Sequence, residues 1–131
     1  MIKGRYRTTG KAVYLTQYHI VWCPKFRRPV LVGKIKERLE QIVKGVCFEH
    51  GADIKALEIM PDHVHVFISS DYRIPIQQTI KSMKGRSSNL LRQEFTELLK
   101  MSSLWTRSFF LSSIGIVSET TIKRYIENQW K

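Results

Sequence analysis

The 131-residue chain predicts an α+β fold, a ferredoxin-like split βαβ sandwich with an antiparallel-containing sheet, helices on one face and one extra C-terminal helix. Three observations carry that prediction. Ile35, Leu39, Ile42, Val43 and Val46 recur at helical spacing between two strand-like segments. Two further strand-like runs, 54–60 and 63–69, meet at Pro61-Asp62, a tight hairpin turn. A second helical region and an apolar strand then complete the order strand, helix, strand, strand, helix, strand, helix. With 43% hydrophobic residues in 131, there is room for one core and therefore for one domain spanning residues 1–131.

The first strand is expected at about Ala12–Cys23, where Val13, Leu15, Ile20 and Val21 mix with threonine and aromatic residues, and the Pro24 to Pro29 stretch ends it. Helical spacing then covers Lys34 to His50, and Gly51 sits where a left-handed C-terminal cap belongs. From Pro75 to about Lys100 the pattern is helical again, with Ile76, Ile80 and Met83 on one face and Leu90, Leu91, Phe95, Leu98 and Leu99 further on. Glycine costs roughly 1 kcal/mol inside a helix, so Gly85 is expected to split this region into two helices. Arg107–Val117 reads as the last strand, and Ser118 with Glu119 as the N-terminal signal of a final helix through Gln129. An apolar strand containing Phe109-Phe110-Leu111 and Ile114 to Val117 is hazardous as an open edge. Either a symmetry mate or another part of the same chain is expected to cover it.

Charge narrows the partner. Twenty-two Lys and Arg oppose eleven Asp and Glu, a formal charge of +11. Residues 1–28 hold seven of the bases (Lys3, Arg5, Arg7, Lys11, Lys25, Arg27, Arg28) and no acid, and Lys81, Lys84, Arg86 and Arg92 form a second acid-free cluster. Such a field attracts polyanions, either a nucleic acid or an anionic membrane surface. No apolar run approaches the roughly 20 residues that span a bilayer, and no signal peptide follows the N-terminus, so a cytoplasmic nucleic-acid partner without membrane association is expected. Cys23 and Cys47 lack CxxC spacing and lie in apolar patterns, as reduced, partly buried thiols do.

Two constellations carry chemistry. His63 and His65 flank Val64 in a strand, so both imidazoles project from one face, roughly 6.5–7 Å apart at the backbone, a span over which they can converge on one divalent ion. Two half-buried histidines bonded to neighbours are the plainer alternative. On the final helix Tyr125 and Gln129 are four residues apart and share a face. A tyrosine hydroxyl can attack a phosphodiester when a cation offsets the charge developing on phosphorus, and a glutamine carbonyl oxygen suits Mg²⁺ or Mn²⁺. Tyr125 as a packing residue beside Ile122 and Ile126 is again the plainer reading. A structural zinc site from Cys47, His50, His63 and His65, a histidine-triad nucleotide hydrolase, and a non-catalytic nucleic-acid-binding module remain as rivals; Phe67 stands where the triad pattern wants a third histidine.

Four blocks, in order, carry a family likeness: Tyr18-His19-Ile20-Val21-Trp22-Cys23-Pro24-Lys25-Phe26-Arg27, Met60-Pro61-Asp62-His63-Val64-His65-Val66, Lys81-Ser82-Met83-Lys84-Gly85 and Tyr125-Ile126-Glu127-Asn128-Gln129. With them the chain resembles, over nearly its whole length, the single-tyrosine HUH transposases of the insertion-sequence 200/605 type. The resemblance implies a small prokaryotic, dimeric enzyme that cleaves and rejoins single-stranded DNA at mobile-element ends and recognises hairpins there. By position, His63 and His65 would be metal ligands, Gln129 a third ligand and Tyr125 the nucleophile. The link would be a 5′-phosphotyrosine ester, with a divalent metal (Mg²⁺ or Mn²⁺) and no nucleotide cofactor, and the active sites would be shared between subunits. Lys25, Arg27, Arg28, Lys84 and Arg86 are expected to contact phosphates, with Lys3, Arg5 and Arg7 as further candidates and Tyr6 or Phe26 as stacking surfaces.

Overall fold

The computed structural model describes residues 6–113 and 119–130. Four strands form the main sheet: β3 (Gln17–Trp22), β4 (Asp53–Met60), β5 (His63–Ser69) and β6 (Phe110–Ser112), in spatial order β4-β5-β3-β6 with every pairing antiparallel. Taken in chain order, the second strand pairs the third, the third pairs the first and the first pairs the fourth, which is the expected split βαβ arrangement. A small hairpin, β1 (Arg7–Thr8) with β2 (Val13–Tyr14), precedes the sheet. The long first strand expected from the sequence is therefore divided, and its C-terminal half is the part that enters the sheet.

Alternation along β5 sorts the two faces. Val64, Val66 and Ile68 are fully buried and join Ile20 and Trp22 of β3 in the core under α1 (Gly33–Glu49) and α2 (Ile76–Glu94). α1 supplies Ile35, Leu39, Ile42, Val43 and Val46 to that core, the residues whose periodicity predicts it. It ends as expected at Gly51 (φ +66°), where Ala52 N–H donates to Cys47 C=O at 2.8 Å and Gly51 N–H to Phe48 C=O at 3.2 Å, closing off two terminal carbonyls. Leu39 lies at the centre of this packing with no exposure. Leu39→Ala is expected to lower unfolding free energy by about 2–5 kcal/mol with little change in the urea m-value, as read from equilibrium denaturation.

α2 departs from expectation at one point. It runs unbroken through Gly85, and the break comes after Glu94, where a 3₁₀ turn covers Thr96–Lys100. Thr79, Ile80, Met83, Ser87 and Leu91 are buried along one stripe that straddles the glycine. That burial outweighs a propensity cost of about 1 kcal/mol. The last strand is also shorter than the expected Arg107–Val117: β6 keeps three residues. Of the expected edge run, Ile114 to Val117 lie outside the described residues, as do Ser118, the expected cap, and Lys3 and Arg5. α3 (Glu119–Glu127) and a 3₁₀ turn, Asn128–Trp130, close the described chain.

Candidate active site

The sheet face away from α1 and α2 carries His63, His65 and Phe67, and register extends that face across neighbouring strands. His65 lies opposite Glu58 of β4 and Val21 of β3; Val21 in turn lies opposite Phe110 of β6; Phe67 lies opposite His19. His19 thus joins the pair as a third imidazole. Its Nδ1 is 3.0 Å from His65 Nε2, and its ring stacks on Phe67 at 4.2 Å between centroids. Burial, and secondarily the nearby His19, lower the pKa of His65, so its neutral form, the one that can ligate a metal, prevails at neutral pH.

His63 is oriented from the hairpin turn. Its Nδ1 sits 2.9 Å from Asp62 Oδ1, which directs Nε2 away from the carboxylate. Asp62 also accepts from Arg27 Nε at 2.8 Å. Burial raises the pKa of the Asp62 carboxyl, but the bonds from His63 and Arg27 prevail and hold it below its usual range. A carboxylate behind an imidazole is the arrangement by which metal-binding histidines are fixed. Among the described residues no three His, Cys, Asp or Glu side chains gather into a metal group. The donor set present, a carboxylate-backed imidazole beside a neutral one on the same strand face, fits a divalent ion that keeps open positions for oxygen donors.

Tyr125 and Gln129 meet at one hydroxyl. Ser108 Oγ is 3.1 Å from Tyr125 Oη and 2.9 Å from Gln129 Oε1. Gln129 Nε2 donates to the Tyr125 carbonyl at 3.2 Å, which turns Oε1 toward Ser108. A hydroxyl has one proton, and an amide oxygen can only accept, so Ser108 donates to Gln129 and accepts from Tyr125. The tyrosine ring also lies 6.0 Å from that of Phe110, on the strand next to β3. Burial raises the Tyr125 pKa, with the Ser108 bond pulling against it. The phenol is therefore protonated at neutral pH.

Ser108 is itself anchored. Lys84 Nζ donates to the carbonyls of Thr106 at 2.7 Å and Ser108 at 3.0 Å, and burial brings its pKa down to about 8. In the unfolded chain this lysine keeps its proton to about 10.5, so between pH 8 and 10.5 the unfolded state binds more protons. Wild type is accordingly expected to gain stability relative to Lys84→Met as pH rises through that window, measured by urea denaturation at pH 8 and pH 10.

The other basic candidates are dispersed. Lys25 and Arg27 belong to a 3₁₀ turn, Lys25–Arg27, after β3, and Arg28 is exposed beside it. This turn packs against the Asn128–Trp130 turn. Arg7 donates to the Ser69 carbonyl at 3.3 Å. Arg86 pairs with Glu49 at 2.6 Å, joining α2 to α1 in the helical layer. Cys47 lies in the core, 3.9 Å from Met83 Sδ, and His50 bonds Thr79 at 3.0 Å; both are on the helix side of the sheet, so the four-ligand zinc site does not assemble. His19, Asp62 and Ser108 were not singled out by sequence reasoning. Asp62 follows the turn proline directly before His63, which is a usable signal, whereas His19 and Ser108 enter only through register.

The family model described as "Transposase IS200 like" matches residues 12–129. The ISDra2 transposase TnpA of Deinococcus radiodurans is 31% identical over 120 residues, covering 89% of this chain and 86% of that protein. The transposase for insertion sequence element IS200 of Salmonella typhimurium is 26% identical over 116 residues, covering 86% and 76%. A transposase crystal structure from Deinococcus radiodurans R1 superposes with a TM-score of 0.82 at 32% identity, covering 98% of each chain. A REP-associated tyrosine transposase bound to a REP hairpin shares the fold at TM-score 0.55 and 12% identity, covering 95% of this chain and 76% of its own. The match over residues 12–129 and the shared α+β fold together make this chain a member of the IS200-like transposases, of the IS200/605 TnpA type.

Proposed function

We propose that this transposase cleaves and rejoins single-stranded DNA at mobile-element ends through a covalent bond between Tyr125 and a 5′-phosphate. The observation that carries the reading is the shared sheet face. His63 and His65 lie on it, and Phe110, which neighbours the Tyr125 ring, lies on it two strands away. His63 and His65 would hold a divalent ion, Mg²⁺ or Mn²⁺, with Gln129 Oε1 as the third protein ligand once it leaves Ser108. Such an ion withdraws charge from the scissile phosphate and its leaving oxygen.

This chain's own groups supply the rest. Tyr125 Oη, released from its bond to Ser108 Oγ, would bond to phosphorus as its proton passes to solvent, the phosphorus–O3′ bond breaks, and the 3′ oxygen takes up a proton from solvent. The energy of the broken bond is kept in the phosphotyrosine, so rejoining to another 3′-hydroxyl needs no nucleotide cofactor. Lys25, Arg27, Arg28, Lys84 and Arg86 are the proposed phosphate contacts, but they are not equivalent. Lys25 and Arg28 present their charge most directly, whereas Arg27 and Arg86 are tied to carboxylates and Lys84 to carbonyls. DNA hairpins are the proposed recognition element, supported by the REP-bound fold neighbour. A homodimer with shared active sites is the proposed assembly. Among the described residues no helix is long and apolar enough to cross a membrane, and we place the activity in the prokaryotic cytoplasm.

The test is direct: incubate the chain with labelled single strands from its own element's ends and Mn²⁺ or Mg²⁺, then resolve protein–DNA adducts on a denaturing gel. A metal-dependent adduct supports the reading. No adduct with either metal sinks it.

A further inference from the structure

Beside Ser108 and Gln129 the surface opens into a pocket of about 650 Å³, within the range of small-ligand sites. Its walls come from two segments that pair with each other: Lys25 N–H donates to Leu104 C=O at 2.8 Å and Thr106 N–H to Cys23 C=O at 3.0 Å. Lys25 and Phe26 line one side, and Ser102, Ser103, Thr106 and Arg107 the other, with Trp105 beneath. Three features distinguish this recess from ordinary basic surface.

The first is its charge. Lys25 and Arg107 both line the recess, and among the described residues no carboxylate does. The second is Phe26, a residue 51% exposed whose ring has Lys25 Nζ over it at 5.7 Å from the centroid, while its backbone (φ 56°) and that of Arg27 (φ 54°) both occupy the left-handed region. Bulky residues enter that region at a cost of order 1–3 kcal/mol and stay only where their surroundings hold them. Here the Arg27 bond to Asp62 and the Lys25 bond to Leu104 do so, and the result is an apolar ring presented to solvent. The third is the ring of hydroxyls, hydrogen-bonding groups without charge, suited to the polar edge of a heterocycle.

We propose that this pocket binds one unpaired nucleotide of the DNA strand, its base stacked on Phe26 and its phosphate held by Lys25 and Arg107. A base inside a duplex is stacked and paired and cannot enter such a recess, so the pocket selects single strand over double strand. The same 3₁₀ turn reaches His63 through Arg27 and Asp62, and the opposite wall includes Ser108 and Gln129. An occupied pocket therefore sets a nucleotide against Gln129 and against Ser108, whose hydroxyl bonds Tyr125 Oη at 3.1 Å. The inference deepens the proposed DNA-strand activity and rests on single-stranded DNA being the substrate.

The test is a binding measurement that needs no chemistry: fluorescence anisotropy of labelled (dT)₁₂ with the full chain in EDTA, on both wild-type and Tyr125→Phe backgrounds. Phe26→Ala and Arg107→Ala are each expected to weaken single-strand binding about tenfold or more, as loss of one stacked base or one phosphate anchor does. Phe26→Tyr should bind within twofold of wild type, which separates stacking from a folding defect. A 12-base-pair duplex should respond less than twofold to Phe26→Ala. No single-strand binding, unchanged binding by Phe26→Ala, or an equal loss for the duplex would overturn the proposal. Should Phe26-dependent binding persist while no covalent adduct forms, the nuclease reading fails and the pocket stands.

Discussion

Tyr125→Phe should reduce adduct formation on single-stranded DNA by about four to six orders of magnitude, the loss typical when a nucleophile is deleted. The substitution removes only the Oη atom. Phenylalanine keeps the ring near Phe110, and the hydrogen bond lost at Ser108 is worth only about 1 kcal/mol, so fold and DNA binding should persist. Ser108 keeps its donor bond to Gln129, which limits rearrangement around the missing oxygen. The measurement is the single-turnover rate of adduct formation, with far-UV circular dichroism and strand affinity as controls. Adduct at the wild-type rate in the phenylalanine variant would mean that another residue attacks phosphorus.

His63→Ala is expected to weaken Mn²⁺ binding more than a hundredfold, measured by isothermal titration on the DNA-free chain. The estimate starts from the effect of residues that merely orient a metal-binding histidine, whose removal costs about 10- to 100-fold, and loss of the ligand itself must exceed that. Asp62→Asn supplies the internal comparison. It leaves the imidazole in place but replaces the carboxylate behind Nδ1, and it also loosens Arg27. Its penalty should fall within the 10- to 100-fold range. Equal Mn²⁺ affinity in wild type and His63→Ala would remove the histidine pair from the proposed mechanism.

Much of this arrangement is legible from residue order, and the illegible parts share a cause. α1 and the β4–β5 hairpin follow from local signals: a 3.6-residue apolar period, a capping glycine and a proline turn between two alternating runs. Alternation also suffices to put His63 and His65 on one face. Local signals mislead where tertiary burial competes with them. Gly85 carries a propensity penalty that a single sequence shows, whereas the buried stripe from Thr79 to Leu91 that overrides it becomes visible only after α2 is docked. Register is the other hidden quantity. That His19 meets His65 depends on how β3 is aligned against β5, and a one-residue slip would turn His19 to the opposite face. Ser108 is harder still, since it acts through a bond to a residue 17 positions later, between segments whose approach no local pattern encodes.

The three-residue length of β6 has a consequence for how the molecule comes apart. β4 and β5 are joined along nearly their full length, and β3 is paired to β5 over six residues, with α1 and α2 closing the core over them. β6 attaches to this body through three residue pairs on one side of β3. Cooperative opening follows such differences in local contact, and units with few buried contacts open at far lower free energy than the whole. β6, whose Phe110 ring lies beside that of Tyr125, is thus expected to open at lower free energy than the strands that carry the core. Its amides should exchange with solvent by local release, whereas those of β5, which carries His63 and His65, should exchange at a free energy nearer to that of global unfolding. The strand beside the proposed nucleophile would then be held more briefly than the strand of the histidines.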